Sequence, residues 1–348
     1  MLPLIDYFLS KFSLDLAIDL GTANTLVHVG GRGIMVREPS VVTCHKKTRR
    51  VLAIGVEAKK MIGKTPASLE VVRPLKDGVI SDFDITLAMI STFVKKIHAR
   101  PGKRFSLIRP RVVIGIPSEI TEVQRRAVLE IARASGARVA YLVFEPMAAA
   151  IGAGQDVLAP VGSMIVDIGG GTCEIAIISL GGIVVSRCLK TAGDAMDRDI
   201  VNYVRLRHGL ILGEKTAEEI KILLSSALPM PVEKEMVARG RDLEKGIPKT
   251  VKLTSTQIRE ALSPSVSAIV QSIKDTIEDV PPELAADISE RGIVICGGGA
   301  LIYGLAKLIS TETKMPVSLA DEPLSCVVLG CAKVLGNRNL LERVKVTG

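Results

Sequence analysis

Residues 16–25 read LAIDLGTANT, and residues 164–172 read MIVDIGGGT. Both segments are apolar strands that end near an aspartate, Asp19 or Asp167, and lead through a turn of small and hydroxyl residues into a second apolar strand. A turn without bulky side chains lets backbone N–H groups converge on an anion, and an aspartate at a strand end can hold a hydrated Mg²⁺ ion. The repetition predicts a duplicated fold that binds a polyphosphate from two sides.

A third glycine-rich segment follows a third apolar strand. Residues 293–296 (IVIC) predict a buried strand that runs into Gly297-Gly298-Gly299-Ala300 and then into a helix from Leu301 to Ser310. Such glycines let a nucleoside or phosphate lie against the backbone and a helix N-terminus. Each glycine cluster alone is more often a simple tight turn, but three clusters in this order, each after an apolar strand, favour a nucleotide site.

Several other kinds of site are disfavoured by the sequence. It contains no G-x-x-x-x-G-K-[ST] P-loop, and the Rossmann pattern fails because Ile302 stands where its third glycine would be. The 6 cysteines show no C-x-x-C spacing and predict small buried thiols in a reducing compartment. The 4 histidines are scattered, which disfavours a zinc site.

Composition predicts a globular protein with a large aliphatic core. The 348 residues suffice for two lobes, and 47% of them are apolar. No apolar run approaches the ~20 residues of a membrane-spanning helix, and the N-terminus lacks the features of a signal peptide. The net charge is +8, yet aromatic residues make up only 3% and Trp is absent, which disfavours nucleic-acid binding.

Two segments predict contact with an anionic membrane surface. One is an amphipathic helix near the N-terminus, and the other is an apolar loop tip flanked by cations within residues 100–111. An ordinary edge helix and a solvated loop remain the alternatives for the two segments taken singly. The predicted membrane residues are Ile5, Phe8, Leu9, Phe12, Phe105, Leu107 and Ile108.

The rest of the chain alternates predicted strands and helices. Amphipathic helices are predicted for residues 82–99 and 121–134, the second with Thr121 as its N-cap, and buried parallel strands for residues 112–117 and 139–144. Further predictions cover a hairpin with a solvated basic tip at 46–50, an exposed small subdomain at 228–252, and a long helix at 255–279 that is kinked by Pro264.

Several segments of the chain resemble the actin, hexokinase and heat-shock-ATPase superfamily, and closely the MreB family of bacterial actins. The most specific of them is Glu145-Pro146-Met147-Ala148-Ala149-Ala150, and the phosphate loops are common to the superfamily. The resemblance extends over nearly the whole chain. Its other segments are residues 19–25, 38–40, 151–154, 167–172, 282–285, 287–292 and 297–301.

This resemblance implies an α/β, actin-like fold of two lobes. Each lobe would be an RNase H-like mixed sheet with flanking helices and a smaller inserted subdomain. After a membrane-binding helix at residues 1–12, the implied ranges are 13–33, 79–148 and 320–348 for the first large subdomain, 34–78 for the first small one, 149–190 and 253–319 for the second large one, and 191–252 for the second small one.

The resemblance also implies an ATPase whose filaments lie at the inner face of the cell membrane and direct cell shape and cell-wall synthesis. Its cofactors would be ATP and Mg²⁺. Its partners would be further copies of itself, the anionic membrane surface and membrane proteins of cell-wall elongation. Glu145 matches the glutamate that positions the attacking water, Thr172 the hydroxyl that assists it, and Asp19 and Asp167 the metal-side carboxylates, which act mostly through water.

The remaining nucleotide contacts come from the glycine loops and from two helices. Asp194 matches a further acid of the site, and Glu218 and Lys221, spaced i, i+3 on one helix face, match the sugar and adenine contacts. The full predicted set is Gly21, Thr22, Ala23, Asn24, Gly169, Gly170, Gly171, Thr172, Asp194, Glu218, Lys221, Gly297, Gly298, Gly299, Ala300 and Leu301.

Physical chemistry agrees with the role implied for Glu145, but it leaves an alternative open. Hydrolysis of a γ-phosphate needs a positioned water, a metal and backbone donors, and a residue at the start of a helix after a buried strand is suited to aim a side chain into a cleft. An acid there also stabilises the helix dipole without any catalytic role.

The sequence departs from the family pattern at three places. Residues 222–226 are more apolar than usual, Cys173 replaces a threonine, and Ala192 stands where a second glycine is usual. Two other functions from the superfamily remain as alternatives, a metabolite kinase and a chaperone-type ATPase. No substrate pocket is evident beside the alanines that follow Glu145, and no peptide-binding domain follows the nucleotide lobes.

Overall fold

The computed structural model describes residues 14–98 and 109–346. The chain divides into two compact units. Unit 1 comprises Met1–Pro160, Ile178–Val184 and Ser325–Gly348, and unit 2 comprises Val161–Ile177 and Val185–Leu324. The predicted division of the chain into two large and two small subdomains is finer than these two units and stays a prediction. The predicted membrane residues lie outside the described part of the chain: Ile5, Phe8, Leu9, Phe12, Phe105, Leu107 and Ile108.

Strands and helices alternate along both units. The strands are β1 (Leu16–Leu20), β2 (Asn24–Val29), β3 (Gly33–Pro39), β4 (Val42–His45), β5 (Val51–Ile54), β6 (Leu69–Val72), β7 (Leu75–Lys76), β8 (Val79–Ile80), β9 (Arg111–Ile116), β10 (Val139–Phe144), β11 (Ser163–Ile168), β12 (Cys173–Ser179), β13 (Gly182–Leu189), β14 (Leu210–Ile211), β15 (Glu235–Asp242), β16 (Pro248–Thr254), β17 (Ile293–Cys296) and β18 (Val317–Leu319).

The helices of the described residues are α1 (Val56–Lys60), α2 (Phe83–His98), α3 (Glu122–Ala134), α4 (Glu145–Gly152), α5 (Gly193–His208), α6 (Glu214–Leu224), α7 (Ser255–Glu278), α8 (Pro282–Arg291), α9 (Leu305–Thr313), α10 (Cys326–Gly336) and α11 (Arg338–Val344). Within the described ranges, no helix is long and apolar enough to cross a bilayer.

Unit 1 is built on a mixed five-stranded sheet in the order β10-β9-β1-β2-β3. β1 pairs parallel with β9 and antiparallel with β2, and β9 pairs parallel with β10. The parallel strands predicted at 112–117 and 139–144 are therefore confirmed, but only the first is buried throughout, because β10 is the edge strand and only Leu142 and Val143 of it are buried. The core against this sheet includes Phe93 of α2 and Ile131 of α3, both fully buried.

A second five-stranded sheet has the order β13-β12-β11-β17-β18. β17 lies between β11 and β18 and is parallel to both. The long helix α7 buries Ile258, Leu262 and Ile269 in the core of unit 2, and Pro264 lies inside this helix as predicted. The hairpin β15-β16, residues 235–254, covers most of the exposed segment predicted at 228–252 and pairs with β14.

Helix starts follow local side-chain chemistry. The Thr121 hydroxyl accepts a hydrogen bond from the backbone of Gln124, and the Gln124 side chain accepts one from the backbone of Thr121, so α3 begins with a capping box. Thr254 and Gln257 form the same box at the start of α7. The predicted N-cap at Thr121 is therefore confirmed, because both partners are supplied by adjacent sequence.

One predicted helix start is wrong. Residues 299–301 form a single 3₁₀ turn, and the α-helix predicted to begin at Leu301 begins at Leu305 and ends at Thr313. Gly304, which precedes it, has a left-handed φ of 76°. The chain must therefore change direction between the glycine segment and the helix, so residues 297–300 do not lead directly into an α-helix N-terminus.

The predicted basic hairpin tip is exposed in the structure. Residues 46–50 join β4 and β5, and all five are exposed. Arg49 nevertheless forms ion pairs with Glu70 (2.7 Å) and with Asp82. Arg49 is therefore held by ion pairs to other segments of unit 1, while the neighbouring residues of the tip are exposed to solvent.

Helices α4 and α10 pack so closely that side chains do not fit at two crossing points. A Cβ atom added to Gly330 would overlap the Ala148 carbonyl, and one added to Gly152 would overlap the Cys326 carbonyl. Interiors at native density cannot absorb such an overlap without moving the backbone. Because Glu145 is the first residue of α4, this contact also holds Glu145 in place.

We predict that Gly330→Ala lowers the free energy of unfolding by about 1–3 kcal/mol through overpacking. Gly336→Ala is the matched control in the same helix, because an added Cβ there meets no atom within 4 Å. Chemical denaturation of both variants measures the difference. Equal unfolding midpoints for the two variants would contradict the close contact of α4 and α10.

Candidate functional site

The first predicted phosphate turn, in unit 1, joins β1 to β2. Ser40 organises it: its backbone N–H donates to the Ala23 carbonyl (3.0 Å) and its hydroxyl to the Gly21 carbonyl (2.6 Å). The Thr22 hydroxyl accepts a hydrogen bond from the backbone of Gly78 (3.0 Å). The Glu38-Pro39-Ser40 segment therefore supports the shape of the turn, a role that sequence reasoning did not assign to it.

Unit 1 also brings two predicted acids into one region. Glu145 begins α4 directly after β10 and is only 8% exposed. Burial raises the pKa of the Cys331 thiol well above its ordinary value, and the charges of Asp19 and Glu145 raise it further. The charges of both carboxylates thus act on Cys331 of α10, so the predicted catalytic acid and a predicted metal-side acid lie in the same part of unit 1.

The second predicted phosphate turn, in unit 2, joins β11 to β12. The Gly169 N–H donates to the Thr172 carbonyl (2.9 Å), which closes the turn, and Thr172 is buried. Burial, together with the charge of Glu174, raises the pKa of Asp167 to about 6, while a hydrogen bond with Cys296 lowers it. Glu174 is itself 1% exposed. A buried acid, Glu174, and a partly buried acid, Asp167, therefore lie in the same region.

The third glycine segment packs directly against the second turn. Gly297 has a φ of +80°, and a Cβ atom there would overlap both the Asp167 carboxylate and the Ile168 carbonyl. Its N–H donates to the Pro323 carbonyl (2.8 Å). Leu301 is 53% exposed. Asp167 and the start of the 297–301 segment are thus brought together, although the segment continues into a 3₁₀ turn rather than into the predicted helix.

The start of α5 makes a further connection to the second turn. The Gly193 N–H donates to the Gly169 carbonyl (3.2 Å), and the Asp194 N–H donates to the Gly170 carbonyl (2.8 Å). Lys221 of α6 donates to the Gly193 carbonyl (2.8 Å). Unit 2 therefore brings together predicted residues from three segments. They are Gly169 and Gly170 of the turn, Asp194 of α5, and Lys221 of α6, the helix that also carries Glu218.

Sequence reasoning missed two acids in this region. Asp197 is 2.9 Å from Lys221. Burial raises the pKa of Asp197, Lys221 lowers it, and the charges of Glu218 and Asp194 raise it further. Glu174 is the other acid. Both could have been found: Glu174 is an acid inside an otherwise apolar strand, and Asp197 lies one helical turn after Asp194.

The donor set suits a cation that keeps much of its water. Among the described residues, no group of three His, Cys, Asp or Glu side chains is arranged to hold a metal ion. A partly buried acid with a raised pKa, Asp167, beside the buried Glu174 is nevertheless an environment that a divalent cation would stabilise. The two acids therefore fit a hydrated Mg²⁺ ion, which takes oxygen ligands.

Known proteins similar to this chain were found by sequence. A family model described as MreB/Mbl protein matches residues 13–343. The cell shape-determining protein Mbl of Bacillus subtilis (strain 168) is 46% identical over 336 residues, which are 97% of this chain and 100% of Mbl. The cell shape-determining protein MreB of Escherichia coli (strain K12) is 48% identical over 332 residues, which are 94% of this chain and 95% of that protein.

Solved structures agree with the sequence matches. MreB5 of Spiroplasma citri bound to ADP has a TM-score of 0.88 and 37% identity, covering 94% of this chain and 97% of MreB5, and a second structure of it is bound to AMPPNP. A subunit of the MamK double helical filament has a TM-score of 0.78 and 26% identity, covering 93% and 99%. The predicted actin-like α/β fold and the predicted family resemblance are confirmed. The chain belongs to the MreB/Mbl family.

Proposed function

We propose that this protein binds and hydrolyses ATP with Mg²⁺ and assembles into filaments that act at the membrane in determining cell shape and directing cell-wall synthesis. The observation that carries the proposal is the assembly, in unit 2, of the Gly169–Thr172 turn with Asp167, Gly297, Asp194 and Lys221. The ADP and AMPPNP complexes of Spiroplasma citri MreB5 support an adenine nucleotide as the ligand.

The proposed nucleotide contacts are the turns and acids predicted from the sequence. Backbone N–H groups of the turns at Gly21–Asn24 and Gly169–Thr172 bind phosphate oxygens. Asp19 and Asp167 hold Mg²⁺ mostly through its water shell, and the metal neutralises charge on the phosphates. Equal nucleotide affinities of the wild-type protein in Mg²⁺ and in EDTA would rule out this metal role.

In hydrolysis, Glu145 is proposed to position the attacking water and accept its proton, with the Thr172 hydroxyl assisting. Its place at the start of α4, its burial and the glycine packing behind that helix support a fixed carboxylate. A rigid acid of this kind suits phosphoryl transfer, because catalysis there is mostly positioning and electrostatic stabilisation. The helix dipole would stabilise the same charge, so the structural role and the catalytic role are compatible.

We predict that Glu145→Gln slows ATP hydrolysis by ~10²–10⁴-fold while ATP affinity stays close to that of the wild type, because the amide fills the same space but cannot take a proton. The control is Glu122→Gln, the same change at the first residue of α3 in the same unit, where the side chain is exposed. Phosphate release and calorimetric titration provide the two measurements. Wild-type turnover in the Glu145 variant would remove this residue from catalysis.

Filament assembly is proposed to proceed head to tail, through a heterologous contact that does not close. Two surfaces of opposite charge support it. Residues 42–73 of unit 1 contain eight Lys or Arg and two Asp or Glu, whereas residues 275–290 of unit 2 contain six Asp or Glu and no Lys or Arg. We name as the basic surface the exposed Lys46, Lys47, Arg50 and Lys64, and as the acidic surface the exposed Glu278, Glu283 and Glu290.

We predict that the triple variant K46E/K47E/R50E raises the protein concentration needed for ATP-dependent sedimentation by about tenfold, because three exposed attractions become repulsions. The triple variant E278K/E283K/E290K should weaken assembly in the same way. Combining the six substitutions should restore sedimentation, since the two surfaces then carry opposite charges again, with the signs exchanged. If the combined variant assembles no better than either triple variant, these surfaces do not meet between copies.

Attachment to the membrane is proposed from the sequence, on the apolar and basic segments at residues 2–12 and 100–111. A short amphipathic helix binds a membrane weakly, because it buries little apolar area and each nearby cation adds only ~1 kcal/mol. A filament repeats the contact many times, so that weak sites together give stable attachment.

We predict that deletion of residues 2–12 releases filaments from anionic vesicles while nucleotide binding is retained. Co-sedimentation with anionic vesicles measures the release, and neutral vesicles control for trapping of filaments. Leu107→Ser with Ile108→Ser should remove any residual binding. Vesicle binding of the truncated protein at the wild-type level, unchanged by the two serines, would contradict membrane attachment through these segments.

A further inference from the structure

Lys221 makes two contacts that tie α6 to the start of α5. Its ammonium lies 2.9 Å from the Asp197 carboxylate and donates to the Gly193 carbonyl at 2.8 Å. Both charged side chains are largely buried, with 17% of Lys221 and 20% of Asp197 exposed. Lys221 therefore joins the two helices through one hydrogen bond and one close ion pair.

The start of α5 in turn orients the second phosphate turn. The carbonyl of Gly169 accepts from the Gly193 N–H, and the carbonyl of Gly170 accepts from the Asp194 N–H. In a trans peptide the N–H points opposite to the C=O of the same peptide plane. The N–H groups of Gly170 and Gly171 therefore point away from α5. Because a glycine backbone has many accessible conformations, these two hydrogen bonds select the one orientation.

The start of α5, Lys221 of α6 and the Gly169–Thr172 turn pack closely against one another. A Cβ atom added to Gly193 would lie 3.2 Å from the Lys221 ammonium, 3.3 Å from the Gly169 carbonyl oxygen and 3.4 Å from Gly170 Cα. A shift of the Lys221 ammonium would therefore displace Gly193 and, with it, the turn. Close packing transmits such a shift instead of absorbing it.

Asp197 keeps the Lys221 ammonium at this position. A buried ammonium without a counter-charge is strongly unfavourable, and other acids are near: the charges of Asp194 and Glu218 both act on Asp197. Without the Asp197 charge, the ammonium would be drawn toward one of those acids. The Gly193 carbonyl would then lose its donor, and the start of α5 its fixed place.

We propose that Asp197 is a positioning residue of the nucleotide site, which acts through Lys221 and the start of α5 to orient the N–H groups of Gly170 and Gly171 toward phosphate. This inference rests on the proposed function, because it assumes that the turn binds a nucleotide. It adds a role for Lys221. Beside the contact with the base or sugar that the resemblance implied, Lys221 supports the phosphate turn.

The test compares ligands with and without phosphates. Asp197→Asn in the full chain should weaken ATP binding about tenfold in Mg²⁺, in line with the loss of one hydrogen bond to a charged group, while adenosine affinity measured by displacement should stay within about twofold. Lys221→Met should weaken ATP binding at least as much, and the double variant should be no weaker than Lys221→Met alone, because both changes break one connection. Lys221→Arg, which keeps charge and donors, should recover most of the ATP affinity.

The matched control is Asp242→Asn, the same substitution at another lysine-paired aspartate of unit 2. Its partner, Lys249, lies 3.0 Å away, on a hairpin strand remote in sequence from the glycine turns. This variant should bind ATP as the wild type does. Hydrogen exchange without nucleotide gives an independent measurement, since the amides of Gly193 and Asp194 should exchange faster in the Asp197 variant but not in the Asp242 variant.

Three results would overturn the inference. ATP affinity unchanged by Asp197→Asn, with unchanged exchange at residues 193–194, would show that the pair does not position the turn. Equal losses of ATP and adenosine affinity in Asp197→Asn would show that the pair acts on the base or sugar and not on the phosphate turn. A wild-type protein that binds neither ligand would overturn the proposed function instead, and the exchange measurement would still report on whether Asp197 holds the start of α5.

Discussion

Hydrogen bonds between backbone segments that approach too closely for side chains hold the candidate site of unit 2 together. The Gly169 and Gly170 carbonyls are tied to the start of α5, and Gly297 lies where any Cβ atom would overlap Asp167 and Ile168. Such contacts make the positions of the turns depend on one another. A change at one of them moves the others, because dense packing leaves no free volume to absorb it.

The buried charges follow from the same arrangement. Burial raises the pKa of Asp167 and of Asp197, and Glu174 is almost completely buried. A buried charge is unfavourable unless an opposite charge or hydrogen bonds compensate it. Lys221 pairs with Asp197 within the protein, whereas the charge of Glu174 adds to the negative potential at Asp167 and favours a cation there. Asp197 is thus suited to support the site, and Asp167 to face a metal ion.

Elements with strong local signals were predicted correctly from the sequence. The capping residues Thr121 and Gln124 lie three positions apart, so α3 could be placed without knowing the fold, and the apolar runs of β9, β10, β11 and β17 marked buried strands. The start of α9 was wrong because the apolar pattern of residues 301–310 suits a helix throughout. Gly304, in its left-handed conformation, ends that pattern through the backbone rather than through hydrophobicity.

The sequence by itself determined the family, the order of the three glycine segments and the identity of most candidate residues, because these depend on short motifs of neighbouring amino acids. Only the tertiary structure decided which segments meet. Asp197 and Lys221 are separated by a helix end and a short strand, and Ser40 reaches Gly21 from beyond β3, so no local pattern links them. The reason is physical: hydrogen bonds and ion pairs depend on distances of about 3 Å in space, which the spacing of residues along the chain does not determine.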